Sequence, residues 1–352
     1  MDELKAPLPW QQEAWQQLQQ ARSTERLAHA MLLEGPRGTG KQLLASAIAA
    51  SLLCERTDAD GHACGHCRSC ALFKAETHPD FLVVGPDNER ATQIGVDSIR
   101  HLSELAGLKS QYHARRVVIV SPAEAMNANA ANALLKTLEE PAADTLLLLV
   151  SSHPARLPAT VRSRCQRLTV KAPARDTARQ WLSGRHAGLA PEQIDLVLDF
   201  SGNAPLLAAD MLAGDFVAVQ ERLFNQWETI CMRGVDPLAV AAEWSAEMEL
   251  DTVLRWLSYI CMGLIRVRTG AGRQGLPEAL QQRLATIAEA VSPEQVFLYL
   301  DVLYYYRQII DHPVNQTLVL ETLLIPWWYK LEWPLESLIR SDPTERAAAT
   351  WP

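Results

Sequence analysis

No apolar run in this 352-residue chain is long enough to cross a bilayer. The longest, Leu43 to Cys54, is short and alanine-rich, whereas a span needs about 20 apolar residues. The opening stretch MDELKAPLPW has neither the basic nor the apolar region of a signal peptide, which predicts a cytoplasmic protein with no membrane partner. A basic excess is missing too. The formal charge is −8, which argues against a chain that coats DNA mainly by neutralising phosphates. There is no low-complexity tract and no internal repeat, so disordered and solenoid architectures are set aside. With 48% hydrophobic and 21% charged residues, the chain reads as an ordinary globular protein of two or three domains.

What is present starts at Met31. A short apolar run, Met31 to Leu33, leads into the glycine-rich turn GPRGTGKQ (Gly35 to Gln42), and then into a long alanine-rich segment that reads as a buried helix. This is the layout of a P-loop. Gly35, Gly38, Gly40 and Lys41 are the cofactor-binding candidates: backbone N–H groups unobstructed by side chains, a helix N-terminus and an ammonium suit phosphate. The residue after the lysine should carry a hydroxyl to ligate Mg²⁺, and here it is Gln42. Either the match is accidental, or a nucleotide-binding fold has lost its metal. The strand-turn-helix context favours the second.

A hydrolase of this kind also needs two acidic residues after a central strand. The strand is VVIV (Val117 to Val120), and Ser121 and Pro122 follow it. Glu124 lies two residues beyond the catalytic position and reads as an exposed carboxylate near a helix N-terminus. Two losses in one metal site predict no ATPase activity for this chain, although Lys41 and the loop could still hold the phosphates of ATP.

Four of the seven cysteines, Cys54, Cys64, Cys67 and Cys70, form C-x9-C-x2-C-x2-C within a polar segment. Thiolates at this spacing converge on one ion, and a complete sulfur shell predicts structural Zn²⁺ with no open catalytic position. His62 and His66 then stand by. A nucleic-acid-binding finger is the competing reading, but only Arg68 and Lys74 are basic nearby.

Further apolar runs at Asp80 to Val84, Leu146 to Val150 and Arg167 to Val170 alternate with helical patterns at Val96 to Leu105 and Ala125 to Glu139. Strands apolar on both faces and separated by helices predict a parallel sheet covered by helices, an α/β domain over residues 1–167 with a zinc-binding insertion at 54–70. Strand signals then stop. Arg175 to Gly184, Pro191 to Phe200 and Pro205 to Leu212 predict a small helical lid over 168–213. Six longer helical patterns follow, at Phe216 to Met232, Pro237 to Met248, Leu250 to Arg268, Leu280 to Val291, Glu294 to Asp311 and Gln316 to Trp328. They predict an all-α domain over 214–352 with a loose tail beyond Ser341. The acidic excess falls wholly after residue 167, with 15 Lys and Arg against 23 Asp and Glu, as separate domains would show.

Arg156, Arg162, Arg164 and Arg167 crowd the end of the α/β domain. Spacing alone favours a solvated turn over an arginine finger that reaches across a subunit boundary. Three segments change that balance. Ser163-Arg164-Cys165, Asn132 to Pro141 (NALLKTLEEP) and the four-cysteine insertion directly after the P-loop helix resemble the AAA+ subunits of bacterial clamp loaders. Gln42, Ser121, Pro122, and Pro205 at the place of a sensor arginine, resemble the degenerate, non-hydrolysing member of that family. The resemblance implies an AAA+ P-loop domain, a lid and a helical collar, Zn²⁺ on the four cysteines, and Arg164 acting in trans on ATP held by a neighbour. It implies a hetero-pentamer with gamma/tau ATPase subunits and a delta subunit, meeting the sliding clamp and primer-template DNA through the complex. It implies membership of a DNA polymerase holoenzyme, with no polymerase or ATPase activity expected of this chain alone. An active ATPase subunit that tolerates Gln42 and Glu124 is the alternative, and a zinc-dependent nucleic-acid-binding protein the third reading.

Overall fold

The computed structural model describes residues 7–86, 91–107, 110, 115–142, 144–214, 216–270, 278–310, 314–332 and 334–335. The expected loose tail beyond Ser341 and the last residue of the helix expected to end at Asp311 lie outside them. The chain divides into two compact units, residues 1–181 with 203–207, and residues 182–202 with 208–352.

The first unit is built on five parallel strands: β1 (Ala30–Glu34), β2 (Phe81–Val84), β3 (Arg116–Val120), β4 (Thr145–Ser151) and β5 (Gln166–Thr169), in the order β2-β3-β4-β1-β5. Register follows burial. The three inner strands are buried at every position, whereas edge strands β2 and β5 expose residues such as Val83 and Arg167. This is the expected α/β class.

Because successive side chains point to opposite faces, each inner strand feeds two cores. Met31, Leu33, Val117, Ile119, Leu146 and Leu148 face one way, against α1 (Gln12–Ser23) and α2 (Lys41–Leu53). The intervening Leu32, Val118, Val120, Leu147 and Leu149 face the other, against Leu102 of α4 (Val96–Ala106) and Leu134 of α5 (Ala128–Glu139). In the first core, α3 (Arg68–Lys74) carries Cys70, has Cys67 as its N-cap and ends beside β2, where Phe73 and Phe81 meet at 4.4 Å. The helix expected from Ala125 starts at Ala128, because the Asn127 side chain accepts the Ala130 N–H at 2.9 Å and caps it there. After β4 come α6 (Ala159–Arg162) and, past β5, α7 (Arg175–Arg185).

The second unit is helical: α8 (Pro191–Ser201), most of α9 (Pro205–Ala213), α10 (Phe216–Cys231), α11 (Pro237–Glu247), α12 (Leu250–Thr269), α13 (Glu278–Ala288), α14 (Pro293–Ile309) and α15 (Gln316–Trp328). Its core is aromatic. Trp227 meets Trp327 edge-on at 4.9 Å and Trp256 at 6.1 Å, and Trp327 meets Tyr299 at 5.0 Å. Edge-to-face packing suits the ring quadrupole and adds to the large area these residues bury. At the rim, Arg283 pairs with Glu228 and lies 4.2 Å over the Phe224 ring, joining α13 to α10. No single helix among the described residues is long and apolar enough to cross a membrane.

Candidate functional site

The glycine-rich turn leaves β1 and ends on α2, which starts at Lys41, so the first N–H groups of the helix have no partner within it. Two glycines are required by their surroundings. A Cβ on Gly35 would stand 2.0 Å from the Val170 carbonyl oxygen, and Gly38, with φ of +78°, would place one 2.4 Å from Leu207 Cβ. The loop is held from several sides. The Trp10 indole donates to the Thr39 carbonyl at 2.9 Å, the Gln11 amide donates to Thr39 and Gly40 carbonyls at 2.9 and 2.8 Å, and Leu206 N–H donates to the Gly38 carbonyl at 3.1 Å. Leu206 follows Pro205, so the start of α9 contributes backbone and leucine side chains to the loop.

Lys41 is buried and donates its ammonium to the Pro36 carbonyl at 2.7 Å. Burial lowers its pKa to about 8, against the pull of the Glu124 carboxylate. Gln42 is exposed.

Glu124 corrects an expectation. It sits in a tight turn, Ala123–Ala125, before α5, and its side chain is only 10% exposed. One oxygen accepts the Ser152 and His153 N–H groups at 2.9 and 3.2 Å, and the other is buried without a partner. Burial pushes its pKa up, but the His153 imidazole and the backbone N–H groups outweigh that and hold the carboxyl at about 2. The sequence predicts an exposed carboxylate near a helix N-terminus. The turn after Pro122 instead directs it inward, to the end of β4.

Three of the four arginines meet different partners. Arg162 donates to the Pro154 carbonyl at 3.4 Å. Arg167 pairs with Glu34 at 2.6 Å, which together with Thr169 ties the end of β1 to β5. Arg164, just past α6, keeps its guanidinium partly exposed, pairs with Glu139 at 2.6 Å and donates to the Thr160 carbonyl at 3.0 Å. Glu34 and Glu139 are the partners that sequence reasoning missed. Their only signal was position, at the end of an apolar strand and within NALLKTLEEP.

Cys54, Cys64, Cys67 and Cys70 come together with all four sulfurs within 4.8 Å of one another. Cys54 and Cys67 Sγ are 4.0 Å apart, Cys64 and Cys70 Sγ 3.9 Å. Sulfurs around a tetrahedral Zn²⁺ with bonds of about 2.3 Å lie about 3.8 Å apart, so the set fits the ion. Backbone N–H groups of Cys64, Cys67 and Cys70 point at the sulfurs of Cys54, Cys64 and Cys67 at 3.2 to 3.4 Å, which favours thiolates. The backbone near His66 leads in lowering the Cys64 thiol to about 6, whereas burial raises Cys54 and Cys70. His62 stacks on Trp15 at 4.9 Å. The group that could hold a metal consists of the four sulfurs, without either histidine.

A buried polar chain joins this insertion to the sheet. Ser69 Oγ and His78 Nε2 are 2.9 Å apart, Asp80 N–H donates to His78 Nδ1 at 3.1 Å, and Arg116 meets Asp80 at 3.4 Å. All four residues are buried.

Residues 10–174 match the family profile described as DNA polymerase III, delta subunit, and residues 215–328 the profile of its C-terminal part. The DNA polymerase III subunit delta′ of Pseudomonas aeruginosa is 36% identical over 323 residues, 91% of this chain and 96% of that one. That of Escherichia coli is 31% identical over 320 residues, covering 90% and 94%. A DNA polymerase III subunit tau from Bacillus subtilis is 33% identical over 154 residues, 44% of this chain and 26% of that one. The two delta′ relatives are thus matched along nearly their whole length, and the chain belongs to the DNA polymerase III delta′ subunit family.

Proposed function

We propose that this chain serves in a clamp loader as a non-hydrolysing stator that donates Arg164 to ATP held by a neighbouring gamma/tau-type subunit. One observation carries the first half: neither position that must ligate magnesium has a suitable side chain, since Gln42 follows Lys41 and Ser121 and Pro122 follow β3. The second half rests on Arg164, which keeps donors in solvent after its two contacts within the chain. The loop's clamping by Trp10, Gln11 and Leu206 supports a fixed rather than a cycling seat, and any bound ATP would stay passive. Residues 214–352 would form the collar of a hetero-pentamer with the ATPase subunits and delta, which brings the sliding clamp to primed DNA. The four cysteines would hold Zn²⁺, which supplies a structural cross-link and no catalytic position.

The test is reconstitution with partner ATPase subunits, clamp and primed DNA. Arg164→Ala should assemble normally and slow DNA-stimulated hydrolysis, by less than the roughly 10³–10⁵-fold an arginine supplies at a single phosphoryl-transfer site, because only one of several sites loses its arginine. Normal hydrolysis would refute the donated arginine. A second reading, an active ATPase subunit, is favoured by the inward-facing Glu124 with its unpartnered oxygen. It requires ATP turnover by the isolated chain that Lys41→Ala abolishes.

A further inference from the structure

Arg164 is engaged at home. Its Nη2 meets Glu139 Oε1 at 2.6 Å and its Nη1 donates to the Thr160 carbonyl at 3.0 Å, so both terminal nitrogens of the guanidinium already have oxygen partners. Glu139 is the last residue of α5, and Thr160 lies in α6. Both elements are anchored by buried residues, Leu134 and Leu138 in the one and Val161 in the other, so the carboxylate and the guanidinium meet on fixed supports. Among the described residues Glu139 forms no other ion pair, and Lys136 one turn earlier does not reach it. The pair is rim-exposed, with Glu139 at 51% and Arg164 at 37%.

A carboxylate and a phosphate compete for the same edge of a guanidinium, because both present two oxygens at matching spacing. An arginine already paired with one must give it up, or share it, to meet the other. We propose that Glu139 parks Arg164, holding the edge that would meet a neighbour's phosphate until assembly on the substrate draws the guanidinium away. The proposal rests on the reading of Arg164 as a donated arginine. It assigns Glu139 a restraining role: the contact lowers the neighbour's idle ATP hydrolysis and sharpens the difference between idle and stimulated complexes.

The experiment uses the reconstituted complex, with ATP hydrolysis followed in the absence of clamp and DNA. Glu139→Gln should raise this idle rate roughly two- to fivefold, the size expected for loss of one exposed ion pair. The gain should vanish in the Glu139→Gln/Arg164→Ala double variant, which an indirect effect on folding or assembly would not produce. Glu140→Gln, one residue along and exposed, should raise it by less than half as much. Gel filtration checks that each complex assembles. An E139Q rate at or below wild type, or a gain that survives removal of Arg164, overturns the parking role. If R164A alone leaves the DNA-stimulated rate normal, the donated arginine falls and this proposal falls with it. If R164A is slow and E139Q is not fast, only the parking role is lost.

Discussion

Lys41 donates its ammonium to the carbonyl of Pro36, five residues back in its own loop, from a position with 5% exposure. With a pKa of about 8 in the folded chain against 10.5 outside it, this lysine binds its proton more weakly when folded. Where the unfolded state binds more protons, stability rises with pH. Lys41 therefore weakens the fold at neutral pH, and the penalty is relieved as pH rises from about 8 to 10.5. Lys41→Met should stabilise the first unit by on the order of 1–3 kcal/mol at pH 7, with the gain shrinking toward pH 10. Urea unfolding at several pH values reads this, and a gain that is flat with pH would contradict it.

Glu124 behaves in the opposite sense. Its folded pKa, about 2, lies below the ordinary 4.5, so its stabilising contribution is complete above 4.5 and is lost as pH falls toward 2. Glu124→Gln should cost about 1–3 kcal/mol at pH 7 and almost nothing near pH 2. Converging unfolding midpoints of variant and wild type across that window would confirm it. Parallel curves would not.

With Zn²⁺ on the four cysteines as proposed, its removal should free residues 54–70 and leave β1, β3 and β4 protected, because the four sulfurs lie wholly within that insertion. The contact between Ser69 and His78 extends the expected loosening to the entry of β2. Hydrogen exchange after mild chelation should show protection lost through about residue 80 and retained at Val117–Val120. Global unfolding would place the metal at the heart of the core.

In the second unit, Trp227 is fully buried, edge-on to two other indoles, and its own N–H has no partner. Trp227→Ala should cost roughly 3–5 kcal/mol. Trp227→Phe should cost much less, since it keeps an aromatic ring and removes an unsatisfied donor. Denaturant midpoints of the two variants measure the difference.

The sheet was legible because its inner strands are continuous apolar runs, and the convergence of the four cysteines because two C-x2-C steps restrict where thiolates can point. The start of α5 was not, since alanines before Asn127 carry helical propensity while the cap lies in one side chain. Glu124 was expected to be exposed because nothing local reveals that the tight turn Ala123–Ala125 aims its side chain at the N–H groups after β4. Glu34 and Arg167 meet across 133 positions of chain, a pairing that exists only once β1 and β5 are neighbours. Local pattern reaches elements and cysteine clusters. Ion pairs formed by strand order lie beyond it.

The hold of Trp10 on the P-loop has an optical consequence. Its indole donates to the Thr39 carbonyl and lies edge-on to Trp181 at 5.5 Å, so one of the ten tryptophans is wired to the turn itself. A shift of Thr39 must alter the hydrogen bond and the ring contact of that indole together. With the other nine tryptophans replaced by phenylalanine, Trp10 would be a built-in fluorophore whose emission reports movement of this loop.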